Sequence, residues 1–123
     1  MTAGGDFAGQ RPLQIEMRRE ADVPIVALSG SCTMEQSMRL GEELAPLAGD
    51  PTVKMLIIDL HDLDFIESSG LGGVIAAYLK CRKRGADLRL VGPAPAIRRV
   101  LEITQLDKIL RICDNLETAM TAR

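Results

Sequence analysis

The stretch Val53–Leu60, "VKMLIIDL", holds an unbroken apolar run from Met55 to Ile58. Four consecutive apolar residues leave no polar face, so the run predicts a strand buried on both sides, at the centre of a parallel sheet. A parallel strand needs a crossover connection, and a helix must cover each buried face. Residues on either side fit this. From Leu71 the apolar positions Leu71, Val74, Ile75, Tyr78 and Leu79 follow the i, i+3, i+4, i+7, i+8 spacing of an amphipathic helix. Lys80, Arg82, Lys83 and Arg84 crowd its last turns, where cations suit the helix dipole, and Gly85 is placed to cap it.

Upstream, "LQIEMRRE" (13–20) alternates, with Leu13, Ile15 and Met17 on one face, and "VPIVALSG" (23–30) is a second strand. The two-residue link at Ala21 and Asp22 predicts an antiparallel hairpin. Residues 33–48 read as a helix, with Thr33 as cap, Gln36 at capping-box spacing and Leu40, Leu44 and Leu47 inward. Met34 and Met38 fall off that face, and they either meet a partner or fill the edge of the core. Downstream come a strand (86–92), a short helix (95–104), a strand (108–113) and a last helix (115–122) capped by Asn115. The fold class is α/β: a mixed β-sheet with an antiparallel N-terminal hairpin and helices packed against it.

The 123 residues fit one domain, expected over 13–123. Residues 1–12, small and polar, are expected to be a disordered tail, in which "GGDF" is a chance string. A net charge of −2 gives no basic footprint for nucleic acid. No apolar run approaches membrane-spanning length, and the tail lacks a signal peptide's apolar stretch. Cys32, Cys81 and Cys113 are odd in number and form no CxxC pair, which points to reduced, buried thiols in a cytoplasmic protein.

The junction after the central strand reads "DFIESSGLGGV" (64–74). Asp59, Asp62, Asp64 and Glu67 gather there around His61, and Ser68 and Ser69 open the following helix. Several chemistries fail on spacing. A nucleophile elbow needs Gly-x-Ser-x-Gly, but Ile66 and Glu67 stand two residues before the serines. The dinucleotide fingerprint lacks its third glycine, and no Gly-Lys-Ser/Thr marks a P-loop. His61 could complete a triad with Ser68, but three acids beside it make a solvated loop residue the simpler reading. Asp59, Asp62 and Asp64 could offer oxygens to magnesium in a small phosphoryl-transfer enzyme, or form a solvated acidic loop. Magnesium binding and phosphatase activity would mark the enzyme. No catalytic residue, metal site or cofactor is assigned.

What remains is a Ser-Ser pair on glycine-rich backbone. In one reading a serine caps the helix and the glycines allow close packing. In the other, Gly70, Gly72 and Gly73 clear a low surface on which a hydroxyl is displayed to another protein and phosphorylated.

The stretch "LIIDLHDLDFIESSGLGGVIAAYLKCRKRGADLRLVGPAPAIRRVLEITQLDKIL" (56–110) resembles the STAS domain of bacterial anti-sigma factor antagonists. The strand, "DFIESSGLG", the helix, "GADLRLVG" and "IRRVLEITQLDKIL" stand in family order, and the likeness extends from about Leu13. It implies a mixed sheet with helices and a non-enzymatic switch. The family's phosphorylated serine, first of the pair in Asp-Ser-Ser-Gly, maps to Ser68. The unphosphorylated domain would bind an anti-sigma factor that is also a serine kinase and so free a sigma factor. Phosphorylation would break the complex, and a PP2C-type phosphatase would restore it. Asp64, Glu67, Ser69, Gly70, Gly72, Met34 and Met38 are expected at the partner surface. A STAS scaffold or assembly subunit without phosphorylation is the alternative within the fold. The chain departs from the family pattern at Glu67, more often Asp. It departs again at Ser31-Cys32-Thr33, where the family often carries an acidic residue and an Asp.

Overall fold

A computed structural model describes residues 11–121. Its strands are β1 (Gln14–Glu20), β2 (Val23–Cys32), β3 (Met55–Ile66), β4 (Asp87–Val91) and β5 (Arg111–Cys113). Its helices are α1 (Met34–Gly49), α2 (Ser68–Lys83), α3 (Pro95–Ile103) and α4 (Leu116–Thr121), with a 3-10 turn at Leu106–Lys108. The sheet order is β1-β2-β3-β4-β5, with β1 antiparallel to β2 and all other pairs parallel. This is the mixed sheet expected from the sequence. The hairpin turns at Ala21 and Asp22, both with positive φ (49° and 67°), as a two-residue turn between twisted strands requires.

The apolar run sits at the centre. Leu56, Ile57 and Ile58 have no exposed surface. Leu56 and Ile58 face the larger core with Leu40 and Leu44 of α1, Leu71 and Val74 of α2, and Ile97 and Leu101 of α3. Ile57 points the other way, to Ile25, Val91, Cys113 and Ala119 of α4. Alternate residues of one strand thus serve two cores, which is why the run cannot contain a polar residue. Each fully buried Leu or Ile contributes about 1.5–3 kcal/mol.

Several local expectations change. β3 does not stop at residue 60 but runs to Ile66, so Asp59, Asp62 and Asp64 lie with His61 on a strand and not in a loop. Its register against β2 slips between Ala27 and Ser29 and again between Gly30 and Ser31, each time adding a residue on β3. These bulges set Leu60, Leu63 and Ile66 inward at intervals of three instead of two. Met17 and Leu79, read as inward, are 57% and 56% exposed. Met17 lies on β1, the edge strand of the sheet. Thr33 holds the N-cap position of α1 but makes no side-chain cap bond, and Gln36 Oε1 accepts instead from Arg39 Nη1 (3.3 Å). Asn115 does cap α4, accepting from Thr118 N at 2.8 Å. β5 is shortened because the 3-10 turn takes up Lys108. Cys32, Cys81 and Cys113 are buried and unbridged.

Residues 1–10, with most of the expected tail and its "GGDF", lie outside the described residues. Arg11 and Pro12, also assigned to the tail, run along the end of β2. Ser31 N donates to the Arg11 carbonyl (3.0 Å), and Pro12 bridges to Ser31. Gly30 lies beneath this segment at φ +83°. A Cβ there would collide with the Pro12 carbonyl oxygen and stand 2.9 Å from that of Arg11. Among the described residues no helix is long and apolar enough to cross a membrane.

Candidate functional site

β2 and β3 end side by side, with Cys32 paired to Ile66. Glu67 N then donates to the Cys32 carbonyl (2.9 Å), which pins the chain where it turns into α2. Glu67 is the N-cap, in extended conformation (φ −77°, ψ 161°), and its carbonyl accepts from Gly70 N (2.9 Å) and Leu71 N (3.1 Å). Neither serine caps the helix, contrary to one expectation. The pinned backbone starts the helix one residue early, so Ser68 and Ser69 are already its first and second residues. Both are exposed.

Their hydroxyls differ. Ser69 Oγ lies 2.7 Å from Ser37 Oγ on α1, and Ser37 Oγ donates to the Thr33 carbonyl at 3.0 Å. Among the described residues the Ser68 hydroxyl takes no hydrogen bond. Cys32 sits beneath the turn. Burial pushes its thiol pKa up, the neighbouring Ser37 hydroxyl draws it back, and the Glu67 charge adds to the rise.

The three glycines do not act alike. Gly70, expected at the partner surface, is buried. A Cβ there would stand 2.9 Å from Cys32 Sγ and 2.9 Å from Ile66 Cγ1, so this glycine serves close packing and not a surface. Gly73 faces α1, where a Cβ would meet Gly41 Cα and N at 3.7 Å, an ordinary contact. Gly72 alone opens onto free space and is exposed.

Around the turn, Asp64 is exposed and paired. Its Oδ2 accepts from Arg11 Nη2 (3.0 Å) and Nε (3.2 Å), while Arg11 Nη2 also reaches the Asp62 carbonyl (2.9 Å). Asp62 Oδ1 lies 3.1 Å from His61 Nδ1, and Asp59 Oδ1 accepts from His61 N (3.0 Å). Asp59 and Asp62 both engage His61 while the Asp64 carboxylate pairs with Arg11, and among the described residues no three His, Cys, Asp or Glu side chains converge as a ligand set. Ser68 and His61 are not hydrogen-bonded, so no triad forms. Met34 and Met38 are 70% and 74% exposed, one turn apart on α1 beside Ser37. The core-edge alternative does not describe side chains so open to water.

The structure thus brings Ser68, Ser69, Glu67 and Asp64 to one end of the sheet, with Met34 and Met38 on the helix joined to it through Ser37. Sequence reasoning missed Ser37, Arg11 and Cys32. Ser37 carried a signal, since a hydroxyl among apolar positions of a helix needs a partner. Arg11 carried none, because its partner is distant in sequence.

The STAS domain family matches residues 14–119. An anti-sigma F factor antagonist from Paenibacillus polymyxa is 30% identical over 109 residues, which cover 89% of this chain and 93% of that protein. The crystal structure of an anti-sigma factor antagonist from Mycobacterium paratuberculosis has a TM-score of 0.79 at 28% identity, covering 90% of this chain and 93% of the other. The Bacillus cell fate determinant SpoIIAA in its phosphorylated form has a TM-score of 0.68 at 19% identity, over 91% of this chain and 100% of the other, a likeness of fold.

Proposed function

This chain belongs to the STAS domain family, and on that premise we propose that it is an anti-sigma factor antagonist, a non-enzymatic switch of the cytoplasm controlled by phosphorylation at Ser68. Unphosphorylated, it binds an anti-sigma factor that is also a serine kinase and so releases a sigma factor. The kinase transfers phosphate to Ser68 and the complex parts. A PP2C-type phosphatase resets the switch.

The observation that carries this reading is the difference between the two serines. Ser68 is exposed, first in α2, with a hydroxyl that no described residue engages. The free N–H groups and dipole of a helix start tolerate an anion, so the fold can accept a phosphate there. A protein against this surface is placed differently. Phosphorylation adds about −1.5 to −2 charges beside Glu67, and a partner that excludes water must desolvate them. Gly72 and the methionines give that partner a low apolar approach, with Asp64 and Glu67 at the rim. The relatives named as anti-sigma factor antagonists support the assignment.

Capture of bound proteins from the native cytoplasm, followed by phosphosite mapping, tests it. An ATP-binding anti-sigma factor in the capture and phosphate on Ser68 are expected. Capture of partners with no phosphate on the chain released from them after incubation with ATP and magnesium would favour a STAS scaffold instead.

A further inference from the structure

Two adjacent, exposed serines open α2, and a kinase reaching this turn meets both. We propose that Ser37 decides which of them is phosphorylated, by holding the Ser69 hydroxyl and leaving that of Ser68 free. This rests on the reading of the turn as a phosphoacceptor. The reaction forms a bond from Oγ to the γ-phosphorus of ATP and breaks the bridge to the β-phosphate. ADP leaves, and the hydroxyl proton passes to a base on the kinase.

The hydrogen-bond accounting assigns the protons. Ser37 Oγ donates its single proton to the Thr33 carbonyl (3.0 Å). In the 2.7 Å contact between the hydroxyls, where either oxygen could donate, this assignment makes Ser69 the donor. Its proton points at Ser37, not at an incoming base, and its oxygen is turned toward α1. Attack from Ser69 requires that bond to break and the side chain to rotate. Ser37 is only 8% exposed and lies beside the buried Cys32, so it has little room to swing aside for a phosphate. Ser68 has no such tie. Exposure does not separate the two serines, and the bond from α1 does.

The test uses the full chain, extract of the native organism as kinase source, ATP and magnesium, with the phosphate mapped by quantitative mass spectrometry. The wild type should carry it on Ser68. Ser37→Ala should raise the Ser69 share roughly fivefold, the equivalent of one ordinary hydrogen bond. Ser68→Ala should stay nearly unmodified, the double variant Ser37→Ala/Ser68→Ala should gain phosphate on Ser69, and Ser37→Thr, which keeps a hydroxyl, should behave as wild type. An unchanged Ser69 share in Ser37→Ala, or wild type modified mainly on Ser69, overturns the role of Ser37 while leaving a kinase switch standing. No phosphate on either serine of the wild type overturns the functional reading, and this inference with it. A second measurement needs neither kinase nor variant. By NMR at low temperature, the Ser69 hydroxyl proton should exchange with water more slowly than that of Ser68, and equal exchange would contradict the proposal.

Discussion

Gly70 packs against Cys32 so closely that a Cβ on the glycine would stand 2.9 Å from the sulfur. The helix that carries Ser68 is therefore seated directly on the end of β2. Gly72, two residues on, faces open space. Alanine should act with opposite sign at the two positions. Gly70→Ala overpacks a buried contact and should cost about 1–3 kcal/mol. Gly72→Ala should gain up to about 1 kcal/mol from helix propensity while weakening partner binding. Denaturant melts of the two variants, with a binding assay on the second, check this.

Met34 and Met38 are exposed enough that changing both to Gln should leave stability within about 0.5 kcal/mol of wild type. Affinity for the anti-sigma factor should fall, since Met at an interface buries apolar surface on binding. Thermal melting and a titration against the partner separate the two effects. A large loss of stability with unchanged affinity would remove these residues from the surface.

Arg11 ties the segment before β1 to the end of β3. Both partners of its ion pair with Asp64 are 55% exposed, so Arg11→Ala should cost under about 1 kcal/mol. Gly30→Ala should cost more, about 1–3 kcal/mol or above, because its φ of +83° is strained for alanine and the Pro12 carbonyl leaves no room. The order of the two losses in urea unfolding is the check.

Much of this architecture was legible in the sequence. Met55 to Ile58 named the central strand, and the spacing from Leu71 named α2. The hairpin turn followed from its two-residue length. What the sequence hid was long-range. Residues 61–66 did not read as strand because two bulges, set by pairing with β2, change the burial period of β3 from two to three. The expected Ser cap failed because the Cys32 carbonyl, far back in the chain, fixes where the helix begins. Gly70 and Gly72 look alike in sequence, and only the neighbouring Cys32 and Ile66 tell them apart. The serine pair itself was legible through its spacing and its likeness to the STAS domain. The tie from Ser37 to Ser69 needed the two helices laid side by side.

Cys32 and Cys81 should make the fold sensitive to alkali. Burial is the main cause that raises the pKa of each thiol above its ordinary value. Above about pH 8.5 an unfolded thiol begins to ionise while the folded one keeps its proton. The folded state then binds more protons, so stability falls as pH rises. Their contribution is complete below that pH and is lost as the pH climbs through the folded values. Thermal melts between pH 7 and 10 should show the decline, and the Cys32→Ala/Cys81→Ala variant, though less stable at pH 7, should decline less steeply. Equal slopes would show that other groups control it.

The switch itself rests on Ser68. Ser68→Asp should keep the circular-dichroism spectrum and melting temperature of the wild type, because an anion suits the start of α2. Ser68→Ala should bind the anti-sigma factor and resist the kinase. Neither substitution carries the full charge of a phosphate, so the direct measurement is the affinity of the anti-sigma factor for the Ser68-phosphorylated chain against the unmodified chain, by calorimetric titration at one salt concentration. Phosphorylation is expected to weaken binding by at least about a hundredfold, the equivalent of roughly 2.7 kcal/mol. Equal affinity of the two forms would contradict a switch at Ser68.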